Sequence, residues 1–229
     1  MTDMLTVEAA RTAVLERIHA LGDEQVPLAD ALDRHLANDV AAIADNPPHD
    51  NSAMDGYAVR FADTATASGS TPIRLQVIED IPAGTVPQRK VSTGQASRIM
   101  TGAPVPEGAD TVIRVEDTRS EDDWVEILEP EDGVGENIRG QGDDMKSGEV
   151  LLRAGDLVGP GEIGVLATAQ HANLTVTRRP TIAILSSGDE LVEVGEPLGP
   201  GQIINSNTPA LAAMARACGA EPVVLPVAR

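Results

Sequence analysis

Aromatic side chains are nearly missing from this chain of 229 residues, which contains one Trp, one Tyr and one Phe. Hydrophobic residues nevertheless make up 41% of the sequence, which is more than disordered chains contain. Any hydrophobic core must therefore be built from Val, Ile, Leu and Ala. The length predicts one large domain or two modest ones.

Cysteine is represented by Cys218 alone, which excludes an internal disulfide and a cysteine-based metal cluster. No apolar run approaches the roughly 18 residues that a membrane-spanning helix needs. The N-terminal segment is amphipathic and acidic from its third residue, unlike a secretory signal peptide. These absences predict a cytoplasmic protein without a membrane partner.

Basic residues are outnumbered, 17 against 36 acidic ones, so the formal net charge is −19 at pH 7. Lysine is especially scarce, since it occurs at Lys90 and Lys146 alone. Binding to nucleic acid requires a basic surface that neutralises phosphates, so this balance argues against a nucleic-acid partner. An anionic ligand would have to be held locally by backbone amides, a few arginines or a metal ion.

The periodicity of apolar residues predicts a helix over 6–21, with Thr6 as its N-cap and Gly22 as its stop. A second short helix is predicted over 28–36. Between two loops rich in Gly, Pro and Asp, short β-branched segments predict an all-β domain. Its strands are expected at 57–61, 73–80, 96–100, 111–117 and 124–129.

The C-terminal part reads as the start of an α/β sheet. After a strand at 149–152, a helix at 161–169 and a strand at 174–177, the apolar run in RRPTIAIL predicts a strand that is buried on both faces. A helix capped by Thr208 and ended by Gly219 follows, and then a strand at 222–227. Two strands and one helix cannot cover both faces of a parallel sheet, so we expect the natural domain to continue beyond Arg229.

Two loops of the β-rich part combine polar groups with Gly and Pro. Asp55 precedes a predicted strand and is either a turn residue or an acid held rigid for a metal or a polar substrate. Thr101 and Gly102 follow another strand. They form either a plain strand exit or a hydroxyl with free amides that could receive an oxyanion.

Two further loops carry neighbouring acids. Asp143 and Asp144 lie in a glycine-rich turn. The two carboxylates either bind a hard cation such as Mg²⁺ or are simply exposed to water in a surface turn. The run 186–190, SSGDE, comes just after the first strand of the α/β part, where such folds bind ligands. Its amides could hold an anion and its acids a metal, or the acids could merely start a helix or turn.

Together these segments resemble one family. PPHDNSAMDGYAVR, IMTGAPVPEGADTVIRVED, NIRGQGDDMKSGEVLL and IAILSSGDELVEVGEPLGPGQIINSN have the order and approximate spacing found in molybdopterin molybdenumtransferases, called MoeA in bacteria and the gephyrin E-domain in animals. The resemblance spans essentially the whole chain. Missing from it are the rest of the family's third domain and a small C-terminal β domain.

The resemblance implies an enzyme of molybdenum cofactor biosynthesis. Such enzymes insert molybdate into adenylylated molybdopterin in a Mg²⁺-dependent step and release AMP. The family's catalytic residues fall here on Asp55, Thr101, Asp144 and Glu190, with Asp143 as the less favoured choice for the third. Ser187, Gly188 and Asp189 would lie beside the substrate, and Asp55 and Glu190 would be the metal-positioning acids.

The resemblance also implies an architecture and partners. Residues 1–45 and 145–177 would form an elongated mixed domain for homodimerisation, 46–144 an inserted β domain, and 178–229 the first part of a doubly wound molybdopterin-binding α/β domain. The fold class is thus multidomain α+β and α/β, and molybdopterin adenylyltransferase would act upstream. The alternative is a truncated, non-catalytic relative that serves as a dimeric binding or scaffold module.

Overall fold

The computed structural model describes residues 4–19 and 21–229. The chain divides into two compact units, one that ends at Val40 and resumes over Val150–Arg229, and one formed by Ala41–Glu149. The sequence-based division at 46–144, with a separate domain from 178, stays a prediction. Both units mix helices with strands, and strands predominate.

The helices are short. They are α1 (Val7–Leu15), α2 (Phe61–Thr64), α3 (Pro160–Thr168) and α4 (Asn207–Ala217). Single turns of 3₁₀ helix occur at Leu28–Asp30 and Val115–Asp117. The strands are β1 (Asp23–Pro27), β2 (Val40–Ala41), β3 (Asn51–Ser52), β4 (Gly56–Val59), β5 (Ile73–Ile81), β6 (Gln95–Ile99), β7 (Thr111–Arg114), β8 (Thr118–Glu121), β9 (Trp124–Ile127), β10 (Ile138–Arg139), β11 (Val150–Leu152), β12 (Asn173–Thr177), β13 (Thr181–Ile184), β14 (Leu191–Val192), β15 (Ile203–Ile204) and β16 (Glu221–Val224).

A six-stranded sheet organises the Ala41–Glu149 unit, with the order β7-β4-β6-β5-β9-β8. Neighbouring strands are antiparallel except β5 and β6, which run parallel. Side chains that alternate along β4 enter two different clusters, because successive residues of a strand point to opposite faces. Tyr57 and Val59 pack in one cluster and Ala58 in the other. All four residues of β4 are consequently buried.

The other unit has a small core of its own. The antiparallel pair β1–β12 packs with α3, and the cluster contains Leu36, Val158, Leu166 and Val176. Further along the chain, β13 pairs in parallel with β16, and α4 lies against both. A second parallel pair, β14–β15, spans the long connection between β13 and α4.

The N-terminal helix is shorter than predicted. Thr6 is its N-cap, as expected, and the Thr6 hydroxyl accepts a hydrogen bond from Ala9 N. The helix ends at Leu15 rather than at Gly22, and the apolar Ile18 beyond it stays exposed. Ala20, part of the predicted helix, lies outside the described residues.

The prediction of a helix over 28–36 is wrong. A single 3₁₀ turn forms instead, because Asp33 adopts a left-handed conformation, with φ of 58°, that no helix continues through. Asp33 N donates to Val158 O, and Leu36 then pairs with Val176 and is buried. Tertiary packing thus overrides the local helical pattern.

The structure also differs from the prediction that the strand in RRPTIAIL is buried on both of its faces. Of Thr181–Ile184 only Ile184 is buried. In the described part of the chain this strand has one sheet neighbour, β16, so its apolar run is not enclosed. No helix in the described residues has the length and apolar character that crossing a membrane requires.

Gly56 provides a test of the sheet. A Cβ atom there would lie 1.9 Å from the carbonyl oxygen of Ile113 on the neighbouring strand. We therefore expect Gly56→Ala to lower the free energy of unfolding of this unit by about 3 kcal/mol or more, since backbone has to move. Fluorescence of the single Trp124, which lies in the same sheet, would follow its unfolding in urea.

The matched control is Gly69→Ala, because a Cβ at Gly69 meets no atom within 4 Å. That variant is expected to stay within about 0.5 kcal/mol of the parent. Equal stability of the two variants would contradict the packing described for β4.

Candidate functional site

Asp55 is held in place by two hydrogen bonds from one residue. It ends the loop that leads into β4, and its Oδ1 accepts from Thr101 N and from Thr101 Oγ1, each at 2.7 Å. The Thr101 amide first, then its hydroxyl, and then the charge of Arg98 hold the pKa of the Asp55 carboxyl below its ordinary value of 3.8. Asp55 is thus a solvent-exposed, oriented carboxylate that is ionised at neutral pH.

Thr101 does not offer free donors to an oxyanion, contrary to the expectation from the sequence. Both of its donor groups point at Asp55. The next two amides are also engaged, since Gly102 N donates to Ser52 O at 2.8 Å and Ala103 N to Met100 O at 2.9 Å. Gly102 has φ of 82°, which allows the chain to turn away sharply after β6. The loop orients Asp55 instead of forming an anion nest.

The two acids of the glycine-rich turn differ in their contacts. Asp143 Oδ2 accepts from Gly140 N at 2.6 Å, so this carboxylate closes the turn. Asp144 Oδ2 accepts only the side-chain amide of Asn46, at 3.1 Å, among the described bonds. Each carboxylate thus accepts one hydrogen bond, from a backbone amide of the turn at Asp143 and from a side chain at Asp144.

Two further aspartates, Asp45 and Asp50, fix this turn. Asp45 accepts from Ser147 N at 2.8 Å and from the side-chain amide of Gln141 at 2.7 Å. Asp50 accepts from Gln141 N at 2.8 Å. These partners are more than 90 residues apart along the chain, so no local pattern could have revealed the contacts.

The run 186–190 lies between β13 and β14 in the other unit. Gly188 has φ of 148°, and a Cβ atom there would lie 2.5 Å from Glu190 Oε2. The Glu190 carboxylate therefore occupies the space that a side chain at 188 would need. Gly188 N donates to Ala228 O at 3.2 Å, so this amide, expected to be free for an anion, already has a partner. Ser187 and Asp189 are exposed beside it.

The structure brings together some of the expected site residues and not others. Asp55 and Thr101 are in direct contact, whereas no hydrogen bond among the described residues joins Asp144 to either of them. Ser187, Gly188, Asp189 and Glu190 belong to a different compact unit. Each unit thus has candidate carboxylates of its own, Asp55 and Asp144 in one unit and Asp189 and Glu190 in the other.

The described residues contain no group of three or more His, Cys, Asp or Glu side chains arranged to hold a metal ion. Magnesium requires less than such a cage, because one or two carboxylates commonly bind it together with waters and substrate phosphates. Asp55 Oδ2 and the Glu190 carboxylate accept no hydrogen bond within the described structure. Each of these carboxylates, taken by itself, has the chemistry to bind a magnesium ion that is held largely by its substrate.

The Asp55–Thr101 contact predicts a pH effect. In Thr101→Val the hydroxyl bond is lost and the amide bond remains, so the pKa of Asp55 should rise part of the way towards 3.8. Because the folded pKa lies below the unfolded one, the two bonds stabilise the fold above pH 3.8. This contribution disappears as the pH falls through the folded pKa.

A carboxyl ¹³C NMR titration would measure this shift. Thr101→Ser retains the hydroxyl and is the matched control, whose Asp55 pKa should equal that of the parent. If Val and Ser variants titrate alike, the hydroxyl contributes nothing to the position or charge of Asp55.

Known proteins share this fold and sequence. The family model described as the MoeA N-terminal region (domain I and II) matches residues 5–169. A molybdopterin molybdenumtransferase of Nostoc is 40% identical over 232 residues, which cover 100% of this chain and 53% of the relative. The Bacillus subtilis molybdopterin molybdenumtransferase is 43% identical and is covered to 48% of its length.

A solved structure agrees. The crystal structure of the molybdopterin biosynthesis protein MoeA from Pyrococcus horikoshii superimposes with a TM-score of 0.88 at 36% identity, covering 95% of this chain and 58% of that one. The chain spans about half the length of the curated relatives it matches. The family match covers most of the chain and both compact units align with known relatives, so the chain belongs to the MoeA family by its N-terminal region.

Proposed function

We propose that the gene product containing this chain is a molybdopterin molybdenumtransferase, which inserts molybdate into adenylylated molybdopterin and releases AMP. Family membership supports this proposal. The observation that carries it is the oriented, ionised carboxylate of Asp55, which is fixed by two bonds from Thr101 and exposed to solvent. Its Oδ2 accepts no hydrogen bond within the described structure, so this oxygen is available to a ligand.

The lowered pKa of Asp55 narrows its role. A general acid or base works best with a pKa near the working pH, and the shift moves Asp55 away from that range. Asp55 is instead suited to attract a cation or to accept a hydrogen bond through Oδ2. A magnesium ion held there would supply positive charge to neutralise substrate phosphate and molybdate oxygens. Thr101 is then a positioning residue that keeps Asp55 oriented.

Glu190 is the second acid of the proposed site. Its carboxylate lies against the backbone of Gly188, and Ser187 and Asp189 flank it in an exposed loop. This loop follows the first strand of the α/β part, where such sheets bind ligands. We assign molybdopterin binding to 187–189 and cation or proton handling to Glu190, within an α/β domain that begins at 178.

A homodimer is part of the proposal. No described residue of α1 is buried, and Val14, Leu15 and Ile18 are each more than half exposed. Apolar side chains in such numbers favour contact with a second copy. Asp55 of one protomer and Glu190 of its partner would then share one cleft. The adenylylated substrate has to be supplied by a molybdopterin adenylyltransferase.

Asp55 and Glu190 can be tested together in the complete gene product. Asp55→Asn and Glu190→Gln preserve shape but remove the charge, so each should lower AMP release from adenylylated molybdopterin by about a hundredfold or more. Mixed heterodimers of the two variants should regain part of the activity, because one of their two clefts is intact.

Matched controls separate this effect from a change in net charge. Asp123→Asn and Glu193→Gln alter exposed acids elsewhere in the same units and should keep near-normal activity. Thermal unfolding and light scattering would establish that all four variants fold and associate alike. Near-normal activity of both site variants would overturn the assignment of Asp55 and Glu190.

The two acids of the glycine-rich turn should separate in a parallel assay. Asp144→Asn is expected to lower AMP release at least about tenfold while leaving stability unchanged, because its carboxylate makes one contact with a side chain. Asp143→Asn loses the charge on the acceptor of Gly140 N and should destabilise the turn by about 1 kcal/mol. The reverse pattern would assign the function to Asp143.

A further inference from the structure

A cavity of about 770 Å³ opens in the first unit, beside the segment that joins β12 to β13. Its lining includes four of the chain's 17 basic residues, Arg34, Arg178, Arg179 and Arg216. Among the lining residues that the structure describes, Asp33 is the one carboxylate. The cavity therefore reverses locally the negative charge that prevails over the chain.

Arg34 forms a fixed floor of this cavity. Its residue is 8% exposed, and its Nη2 donates to the carbonyl oxygen of Thr177 at 2.9 Å and to the Glu24 carboxylate. Both bonds use the same nitrogen, so within the described structure Nη1 and Nε have no acceptor. A guanidinium that is already ordered loses little conformational freedom when it binds a ligand.

The other three arginines supply uncompensated charge. Arg178, Arg179 and Arg216 are exposed, and none of them forms an ion pair with any acid in the described ranges. Two are adjacent in sequence and the third lies in the last turn of α4. Arginine donors match the geometry of phosphate oxygens, and several together favour a ligand with more than one negative group.

We propose that this cavity binds a small molecule carrying two or more phosphate groups, of the class of pyrophosphate and the nucleoside diphosphates. The volume lies in the range of small-molecule sites and exceeds what a single phosphate fills. Leu157 and Pro180 add apolar surface that a sugar or base can contact. The cavity shares no residue with the site at Asp55, Thr101, Asp144 and 187–190, so the inference does not depend on the proposed function.

Isothermal titration calorimetry of the chain at low salt would test this site with four probes. Pyrophosphate and ADP should bind, inorganic phosphate should bind more weakly, and adenosine should give no heat. Raising the salt concentration should weaken both polyphosphates, because the exposed arginines are screened. Absence of binding by both polyphosphates would overturn the proposal, as would adenosine binding as tightly as ADP.

Single-charge variants locate the binding. Arg178→Gln and Arg216→Gln should each weaken pyrophosphate binding about tenfold, since each removes a charge-assisted contact. Arg153→Gln is the matched control: Arg153 is exposed in the same unit but does not line the cavity, and the variant should change affinity less than about twofold.

The outcomes remain distinct from those for the proposed activity. Equal losses in Arg153→Gln and Arg216→Gln would show attraction to overall charge and would overturn the site. Asp55→Asn should bind pyrophosphate like the parent chain, whatever its effect on molybdenum insertion. Circular dichroism would show whether each cavity variant folds. Because two variants are tested, the proposal can still be judged if one of them does not fold.

Discussion

The close approach of β4 to its neighbour β7 is the constraint on which the Ala41–Glu149 unit depends. With a carbonyl oxygen of Ile113 in the space beside Gly56, the two strands can meet only where no side chain intervenes. That contact places β4 inside the sheet, with clusters on both of its faces. The loop that leads into β4 ends at this contact, so the position of β4 fixes the backbone of Asp55, the residue before Gly56.

Carboxylates serve this acidic chain as acceptors for backbone amides. Asp110 accepts from Phe61 N at 2.6 Å, Asp63 from Gly94 N at 3.0 Å, and Asp39 from Ala154 N at 2.8 Å. Such charge-assisted bonds are stronger than those between neutral groups, and they organise loops that contain few apolar residues. Part of the net charge of −19 is therefore structural. Asp55 shares this pattern, with the difference that the backbone amide and the hydroxyl of one residue, Thr101, both donate to the same oxygen.

The local patterns of the sequence predicted most strands, since β5, β6, β9 and β12 lie within a residue or two of their expected ranges. Among the strands that they missed is β8, whose residues TRSE are polar and gain their extended conformation from pairing with β9. Helical periodicity failed at 28–36, where packing against the partner strand decided the backbone. The role of Thr101 as a donor to Asp55 was equally out of reach, because 46 residues separate the two.

The net charge of −19 would repel an anionic ligand, but salt limits the distance over which this repulsion acts. At physiological ionic strength the field of an exposed charge fades over about 8 Å, so most of the carboxylates of this chain are screened from any one site. A ligand therefore interacts mainly with the local arrangement of charged side chains. At Asp55 that arrangement is an exposed carboxylate, which attracts a cation, with the charge of Arg98 near enough to lower its pKa. At the cavity around Arg34 it is a group of arginines facing one aspartate, which attracts polyanions. Two regions of opposite local sign can therefore operate in one acidic protein, each according to its nearest side chains rather than to the charge of the whole.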